Sequence, residues 1–299
     1  MKWTKLGLLF SIENNHPWMV SHASNPVAEH FCDDVFRVYF SCRDANSRAH
    51  IAYADVDLQS AFKVLEIADE PLLAPGKVGA FDDSGVSLAC INEIRGQKHL
   101  YYVGWNLGVT VPWRNSIGLA VYNPDLSRFE RRSNAPLLDR NNVDQNSLSY
   151  PFVLKDGEIY RMWYGSNLKW GKHEQDMAHV IKYAESDDGL CWRREGVIAL
   201  NFRDPSEYAL SRPFVIKEHG VYRMWYSYRG ASYRIGYAES PDAIKWTRLD
   251  EEVGIDVSDS GWDSEMIEYP FIFDHKGARY MLYNGNGYGK SGIGLAVLD

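Results

Sequence analysis

Three stretches of the chain copy one another: SYPFVLKDGEIYRMWYGSN from Ser149, SRPFVIKEHGVYRMWYSYRG from Ser211 and EYPFIFDHKGARYMLYNGNG from Glu268. Each reads as an apolar run, a charged turn containing glycine, and a second run rich in Tyr, Met and Trp, which is the pattern of a β-hairpin. A third run follows each of them: HVIKYAES from His179, YRIGYAES from Tyr233 and SGIGLAVLD from Ser291. Two of these continue through a turn into a Trp-bearing run, DDGLCWRREG and PDAIKWTRLD. Weaker copies fill the first half. Asn25-Pro26-Val27 leads to VFRVYFSCRD, AHIAYADVD and AFKVLEI, and Ser84-Gly85-Val86-Ser87 leads to KHLYYVGWN, NSIGLAVYNPD and RFERRSN.

With Pro26, Gly85, Pro151, Pro213 and Pro270 in register, the chain divides into five units spaced by roughly 60 residues. A lone four-stranded sheet cannot bury both faces, whereas stacking the sheets around an axis does so for all of them, so the expected fold is an all-β, five-bladed β-propeller. The last unit lacks a fourth strand, because the chain stops at Asp299 after GIGLAVLD, and MKWTKLG at the start has the pattern of the missing piece, as in Lys245-Trp246-Thr247-Arg248-Leu249. The expectation is a single domain over 1–299. Strand 1–9 completes the fifth blade, and the blades cover about 23–70, 82–134, 147–200, 209–252 and 266–299. Alternation of strand direction puts the short KDGE-type turns at one end and the long polar and aromatic loops at the other, where function concentrates.

Nineteen Tyr, twelve Phe and ten Trp favour strands. A formal charge of −8 argues against nucleic acid or an anionic membrane as partner. No run approaches the ~18 apolar residues of a membrane span. Leu6 to Ile12 is too short for a secretory h-region and lacks a small-residue cleavage site, which points to a cytoplasmic protein. Cys32, Cys42, Cys90 and Cys191 have no metal-ligand spacing and are expected to be reduced and buried. No cofactor is implied: GNGYGK from Gly285 is read as a blade loop without a helix behind it.

In a propeller the first strands line the channel, so the residues just before the register should converge at its mouth. These are Ser24 and Asn25, Asp83 and Ser84, Ser149 and Tyr150, Ser211 and Arg212, and Glu268 and Tyr269. The long loops add Arg43, Asp44, Trp113, Arg114, the stretch from Lys169 through Trp170 to His179, Arg229, Asn284, Asn286 and Tyr288, with Asp256, Asp259, Asp263 and Glu265 from the last inter-blade loop. Carboxylates, Arg, Asn and flat rings around a channel suit a polyhydroxylated ligand, whose C–H faces stack on aromatics and whose hydroxyls need paired donors and acceptors. His50 and His179 start equivalent third strands, which favours a repeat-derived structural role over a metal site, and none is expected.

The strand pairs PFV…YRMWYS, the YAES strands and the five-fold count resemble the five-bladed propeller superfamily of glycoside hydrolases: arabinanases, β-xylosidases, invertases, levansucrases and, more distantly, mannoside phosphorylases. The resemblance implies three carboxylates at the mouth, from the first three blades. An acid protonates the leaving oxygen, and a second carboxylate acts as base or nucleophile. At the corresponding places this sequence has Asn25-Pro26 in blade one and Ser149-Tyr150 in blade three, so that Asp83 alone matches. If the protein is an enzyme, Asp83 and Glu268 are the expected acid and base, with Arg212 holding one of them ionised or gripping the substrate. Asp44, Asp263 and Glu265 stand in reserve. The leading expectation is a carbohydrate-active enzyme. Its rivals are a sugar-binding propeller that lost the family carboxylates and a protein-interaction scaffold.

Overall fold

The computed structural model describes residues 1–59 and 62–299, with only the backbone of Glu174. The chain opens with β1 (Trp3–Phe10) and the short β2 (Glu13–His16). The first blade is β3 (Met19–Cys32), β4 (Val35–Arg43), β5 (Ala49–Asp57) and β6 (Lys63–Ile67). Ala61, the expected first residue of that fourth strand, lies outside the described residues. The second blade is β7 (Gly85–Ile94), β8 (Gln97–Leu107), β9 (Trp113–Asn123) and β10 (Arg128–Arg131). The third is β11 (Leu148–Asp156), β12 (Ile159–Lys169), β13 (Ala178–Ser186) and β14 (Ile198–Leu200). β15 (Ala209–Glu218), β16 (Val221–Arg229), β17 (Tyr233–Ser240) and β18 (Thr247–Arg248) make the fourth. β19 (Glu268–His275), β20 (Ala278–Asn284) and β21 (Ile293–Leu298) make the fifth, with β1 as its outer strand.

β1 runs antiparallel to β21, Trp3 opposite Leu298 and Phe10 opposite Ile293. It is also fixed from the side by Lys5, whose Nζ donates to Asp263 at 2.7 Å and to Ser258 at 2.9 Å. A short hairpin that the repeat pattern does not announce, β2 against β3, extends the first blade.

The second strand of each blade carries the reason for the ring. Its paired residues Tyr39-Phe40, Tyr101-Tyr102, Trp163-Tyr164, Trp225-Tyr226 and Leu282-Tyr283 point to opposite faces and are all buried. One member of each pair packs into the apolar cluster shared with the preceding blade and the other into the cluster shared with the next. The cluster of Phe40, Leu282, Ile293 and Leu295 joins the last blade to the first. Strands buried on both faces need apolar residues at successive positions rather than alternate ones, and these runs have them.

Buried aspartates pin the inter-blade loops to that aromatic layer. Asp82, Asp144 and Asp263 each accept the hydroxyl of a tyrosine 20 residues further on, Tyr102, Tyr164 and Tyr283, at 3.0, 2.9 and 3.0 Å. A cation completes each staple: Arg131 on Asp82 at 2.8 Å, Lys182 and Arg194 on Asp144 at 3.0 and 2.9 Å, and Lys5 on Asp263 at 2.7 Å. In the fourth blade Asp250 accepts from Tyr226 and pairs with Arg248. The tyrosine rings lie so close to the third strand that a Cβ at Gly118 or Gly236 would come within 2.5 Å of Tyr102 or Tyr226. This explains the glycines of the IGLA and IGYA runs.

Candidate active site

The first strands enter the channel through a β-bulge. In four blades the bulge residue precedes proline and has a left-handed φ: Asn25 at 57°, Tyr150 at 38°, Arg212 at 52° and Tyr269 at 58°. Non-glycine residues held there are strained, and such strain gathers at ligand sites because a bulge re-aims a side chain. The pairing also corrects the register of the second blade. Ser87 lies opposite Val103 and Cys90 opposite Tyr101, the shift that elsewhere separates Ser24 from Val27 or Ser149 from Phe152. The residues equivalent to Ser149 and Tyr150 are therefore Ser87 and Leu88, and Ala89 takes the place of proline. Asp83 sits four residues too early.

Above the bulges lies a cavity of about 470 Å³. Its wall is laid down in rings. First strands give Ser24, Asn25, Ser87, Ser149, Tyr150 and Tyr269, and second strands give Ser41, Arg43, Val103, Trp105 and Asn167. Third strands give Ala49, Asn115, His179 and Tyr233, each two residues before an isoleucine (Ile51, Ile117, Ile181, Ile235) that faces the core. Trp113, Leu107, Met177, His22 and Tyr288 close the rim. Arg212 is buried beside this cavity, and Phe152, Phe214 and Phe271, with successive rings 4.9 Å apart, line a second cavity of about 270 Å³. Buried polar atoms of the wall have no hydrogen-bond partner among the described residues: Asn25 Oδ1, Ser149 Oγ and His179 Nε2. Buried polar groups are normally satisfied, so orphans on a cavity wall are the mark of a ligand or ordered water.

Several expected site residues thus reach the wall: Asn25, Arg43, Trp113, Tyr150, His179 and Tyr269. Others support it. Trp170 donates to the Trp113 carbonyl at 2.8 Å and packs edge-on against its ring, and Arg229 donates to the Tyr288 hydroxyl at 2.6 Å among the rings of Tyr208, Tyr233 and Tyr288. Asn284 spends its amide sewing the last blade to the first, accepting from Asn25 N–H and donating to Ala23 and Gly292 carbonyls. Asn286 is committed to Glu265 and Met266 amides and the Gly261 carbonyl. Asp44 folds its own loop, accepting from the Asn46 and Arg48 amides, the Arg48 guanidinium and His50. Asp263 is a staple, and Glu265 is exposed.

The expected catalytic trio is not assembled at the wall. Asp83 bonds to Gly79 N–H and Ser84 Oγ in a turn, both at 2.9 Å. Arg212 is 2% exposed and donates to the backbone carbonyls of Asn25, Pro26 and Ala89, tying blades one, two and four together beside the cavity. Burial pushes its guanidinium down to about 10. Glu268 is wholly buried, yet its charge reaches Tyr150, Tyr233 and Tyr269, whose phenols are raised by burial first and by Glu268 next. Among the described residues no cluster of three or more His, Cys, Asp or Glu is placed to hold a metal ion. Cys42 and Cys90 are buried, whereas Cys32 and Cys191 are exposed, at a strand end and in a turn.

His50 and His179 are not equivalent. His50 pairs with Cys42 and His179 with Asn167, one register position apart relative to the core isoleucines, so they face opposite sides of their sheets. The residues missed from sequence, including Ser41, Ser87, Trp105, Asn115 and Tyr233, carry one usable signal: the isoleucines align all five third strands.

Burial pushes the His179 imidazole down to about 4, and burial with Arg43 and Lys290 does the same to His22. In the unfolded chain both take a proton as pH falls through about 6.5; the folded chain stays neutral until about 4. The unfolded state binds more protons in that window, so stability should fall as pH drops through it, with His179 contributing at most about 1.4 kcal/mol per pH unit. Urea midpoints from pH 7 to 5 should show the decline, and His22→Gln with His179→Gln should flatten it.

Full-length relatives decide the family. Uncharacterized protein Rv1502 of Mycobacterium tuberculosis (strain ATCC 25618 / H37Rv) is 48% identical over 299 residues, covering 100% of each chain. This chain belongs to its family. Uncharacterized protein MT1551 of the CDC 1551 / Oshkosh strain, also 48% identical over the same length, is a second relative. No family model matches. Among solved structures, BT0996 in an RGII complex superimposes with a TM-score of 0.77 at 18% identity, covering 99% of this chain and 91% of that one. A thermostable family-43 glycoside hydrolase gives 0.70 at 17%, covering 95% and 91%. The catalytic domain of the Coprinopsis cinerea GH62 alpha-L-arabinofuranosidase gives 0.69 at 13%, covering 99% and 96%. The family has the five-bladed propeller fold of those glycoside hydrolases.

Proposed function

We propose that this protein recognises a sugar or sugar-like molecule of one or two ring units in the channel-mouth cavity, and that two-carboxylate hydrolysis is not its chemistry. The observation that carries the reading is the wall itself. A 470 Å³ cavity is in the range of small-ligand sites. It presents aromatic faces for stacking, with hydroxyls, amides and imidazoles for hydrogen bonds, and among the described residues it includes no Asp or Glu. Glycosidases need two carboxyls flanking the bond, about 5 to 10 Å apart. Here Asp83 is held in a turn and Glu268 is enclosed. The fold, shared with glycoside hydrolases and with a protein seen in an RGII complex, supports the ligand class. The proposal places the protein in the cytoplasm, a compartment that keeps thiols such as the four free cysteines reduced.

A second reading, an enzyme in which Glu268 acts through a wall tyrosine, is favoured by the coupling of Glu268 to Tyr150, Tyr233 and Tyr269. One screen separates the two. Thermal-shift binding and turnover are measured on a set of monosaccharides, aryl glycosides and nucleotide sugars. The binding reading expects shifts without turnover, unchanged in Asp83→Asn and weakened about tenfold in Asn25→Ala and His179→Ala, the size of one lost hydrogen bond to a buried group. Turnover that disappears in Glu268→Gln and survives in Asp83→Asn would replace it with the second reading.

A further inference from the structure

We infer that the ligand is an anionic sugar, one bearing a carboxylate or a phosphate, and that Arg43 receives the anion. The inference rests on the sugar-pocket reading above and adds the charge of the ligand. The chain holds 40 Asp and Glu against 32 Lys and Arg, yet among the described residues the cavity wall includes none of the former and one of the latter, Arg43.

Arg43 is half-buried at the end of β4, and its guanidinium makes no hydrogen bond or ion pair with another described residue. Arg114, also half-buried and without such a partner, does not line the cavity, and other half-buried arginines of this chain are matched. Arg131, Arg194 and Arg248 each bond to a buried aspartate of an inter-blade staple, at 2.8, 2.9 and 2.7 Å. A partly desolvated guanidinium without an acceptor is costly, and its planar fork fits a carboxylate or phosphate through two parallel bonds. The local field has the same sign. Arg43 and Lys290 both act on His22, another wall residue, against its protonation.

Two carboxylates, Asp44 and Glu268, oppose it. Asp44 is occupied by Arg48, His50 and two backbone amides. Glu268 is the largest charge acting on Tyr150 and Tyr233, with Arg212 and Arg43 acting against it on the first and Arg229 on the second, so the positive field is local to Arg43 and His22. Asn25 Oδ1, Ser149 Oγ and His179 Nε2, without partners in the same wall, remain for the sugar hydroxyls. The anion and the ring therefore have separate receptors within one cavity.

The test is calorimetric titration of the full chain at low salt. The probes are common hexoses and pentoses, each set beside its uronate and its terminal phosphate, with inorganic phosphate alone as a further arm. The expected result is that at least one sugar binds about tenfold more tightly in charged than in neutral form. That gain should vanish in Arg43→Gln, persist in part in Arg43→Lys, and shrink with added salt. Whether the uronate or the phosphate shows the gain identifies the anion. Neutral sugars binding as tightly as their charged partners, or a gain untouched by Arg43→Gln, overturns the inference and leaves the sugar pocket standing. Absence of binding by every sugar, charged or neutral, overturns both, as does inorganic phosphate binding as tightly as any sugar phosphate.

Discussion

A chain lacking residues 1–11 should show no cooperative unfolding transition. The deleted strand is the outer strand of the fifth blade and contributes to two interfaces at once. Trp3 packs between blades four and five, while Leu9 and Phe10 pack between blades five and one. Truncating a buried aromatic or leucine to alanine costs about 3 kcal/mol. Three such losses sum to about 9 kcal/mol, the scale of a whole domain's stability. Further losses are the Lys5–Asp263 staple and the backbone bonds from Trp3 N–H to Gly254 and from Asp299 N–H to the Lys2 carbonyl. The bare edge of β21 would also be open to pairing with other chains. Circular dichroism melts and the soluble fraction on expression report the outcome. A sigmoidal melt within a few degrees of the full chain would contradict the placement of this strand.

Asp144→Ala should lower stability by about 3 to 5 kcal/mol, the usual cost of stripping a buried charge cluster of its partner. Asp144 is 1% exposed and collects four groups: the hydroxyls of Tyr164 and Ser166, Lys182 and Arg194. Lys182 and Arg194 would be left facing each other in a site with little water. The melting temperature should fall by roughly 10 °C. Asp144 has a carboxyl held below its ordinary range against the opposing effect of burial, chiefly by Ser166 and Lys182. Its contribution is therefore complete above about pH 4 and is lost as pH falls through the lowered value. Two adjacent residues offer the sharpest control. Asp82→Ala breaks a staple with Tyr102 and Arg131, whereas Asp83→Ala removes only turn contacts and should stay within about 0.5 kcal/mol. Similar losses at Asp82 and Asp83 would refute the staple.

Two of the expected carboxylates have structural partners that the sequence did not show. A carboxylate near the repeat register looks like a candidate acid, but Asp83 accepts from Gly79 N–H and Ser84 Oγ in a turn, and Asp263 belongs to Tyr283, 20 residues away on a neighbouring strand. No local pattern announces a partner chosen by packing. Arg212 gives the same lesson: its position at the bulge was legible, and its acceptors, carbonyls of two other blades, were not. Asn25, Tyr150 and Tyr269, which line the cavity, were legible because a repeat that diverges at one strand position marks where its copies meet something other than one another.

The five units, their strand order and the closure of the last blade by the first strand were determined by the sequence alone. These follow from hydrophobic patterns of two or more faces and from turn residues, which act within a few positions along the chain. The site was decided by tertiary structure. In blade two the bulge has no proline to mark it, so its register moves from Gly85 to Ala89 and leaves Asp83 off the bulge and off the cavity wall. His50 and His179 part company through a single residue of register. A strand's side chains alternate with period two, so one residue decides whether a group faces the cavity or the core, and that choice is made by pairing across strands rather than along them.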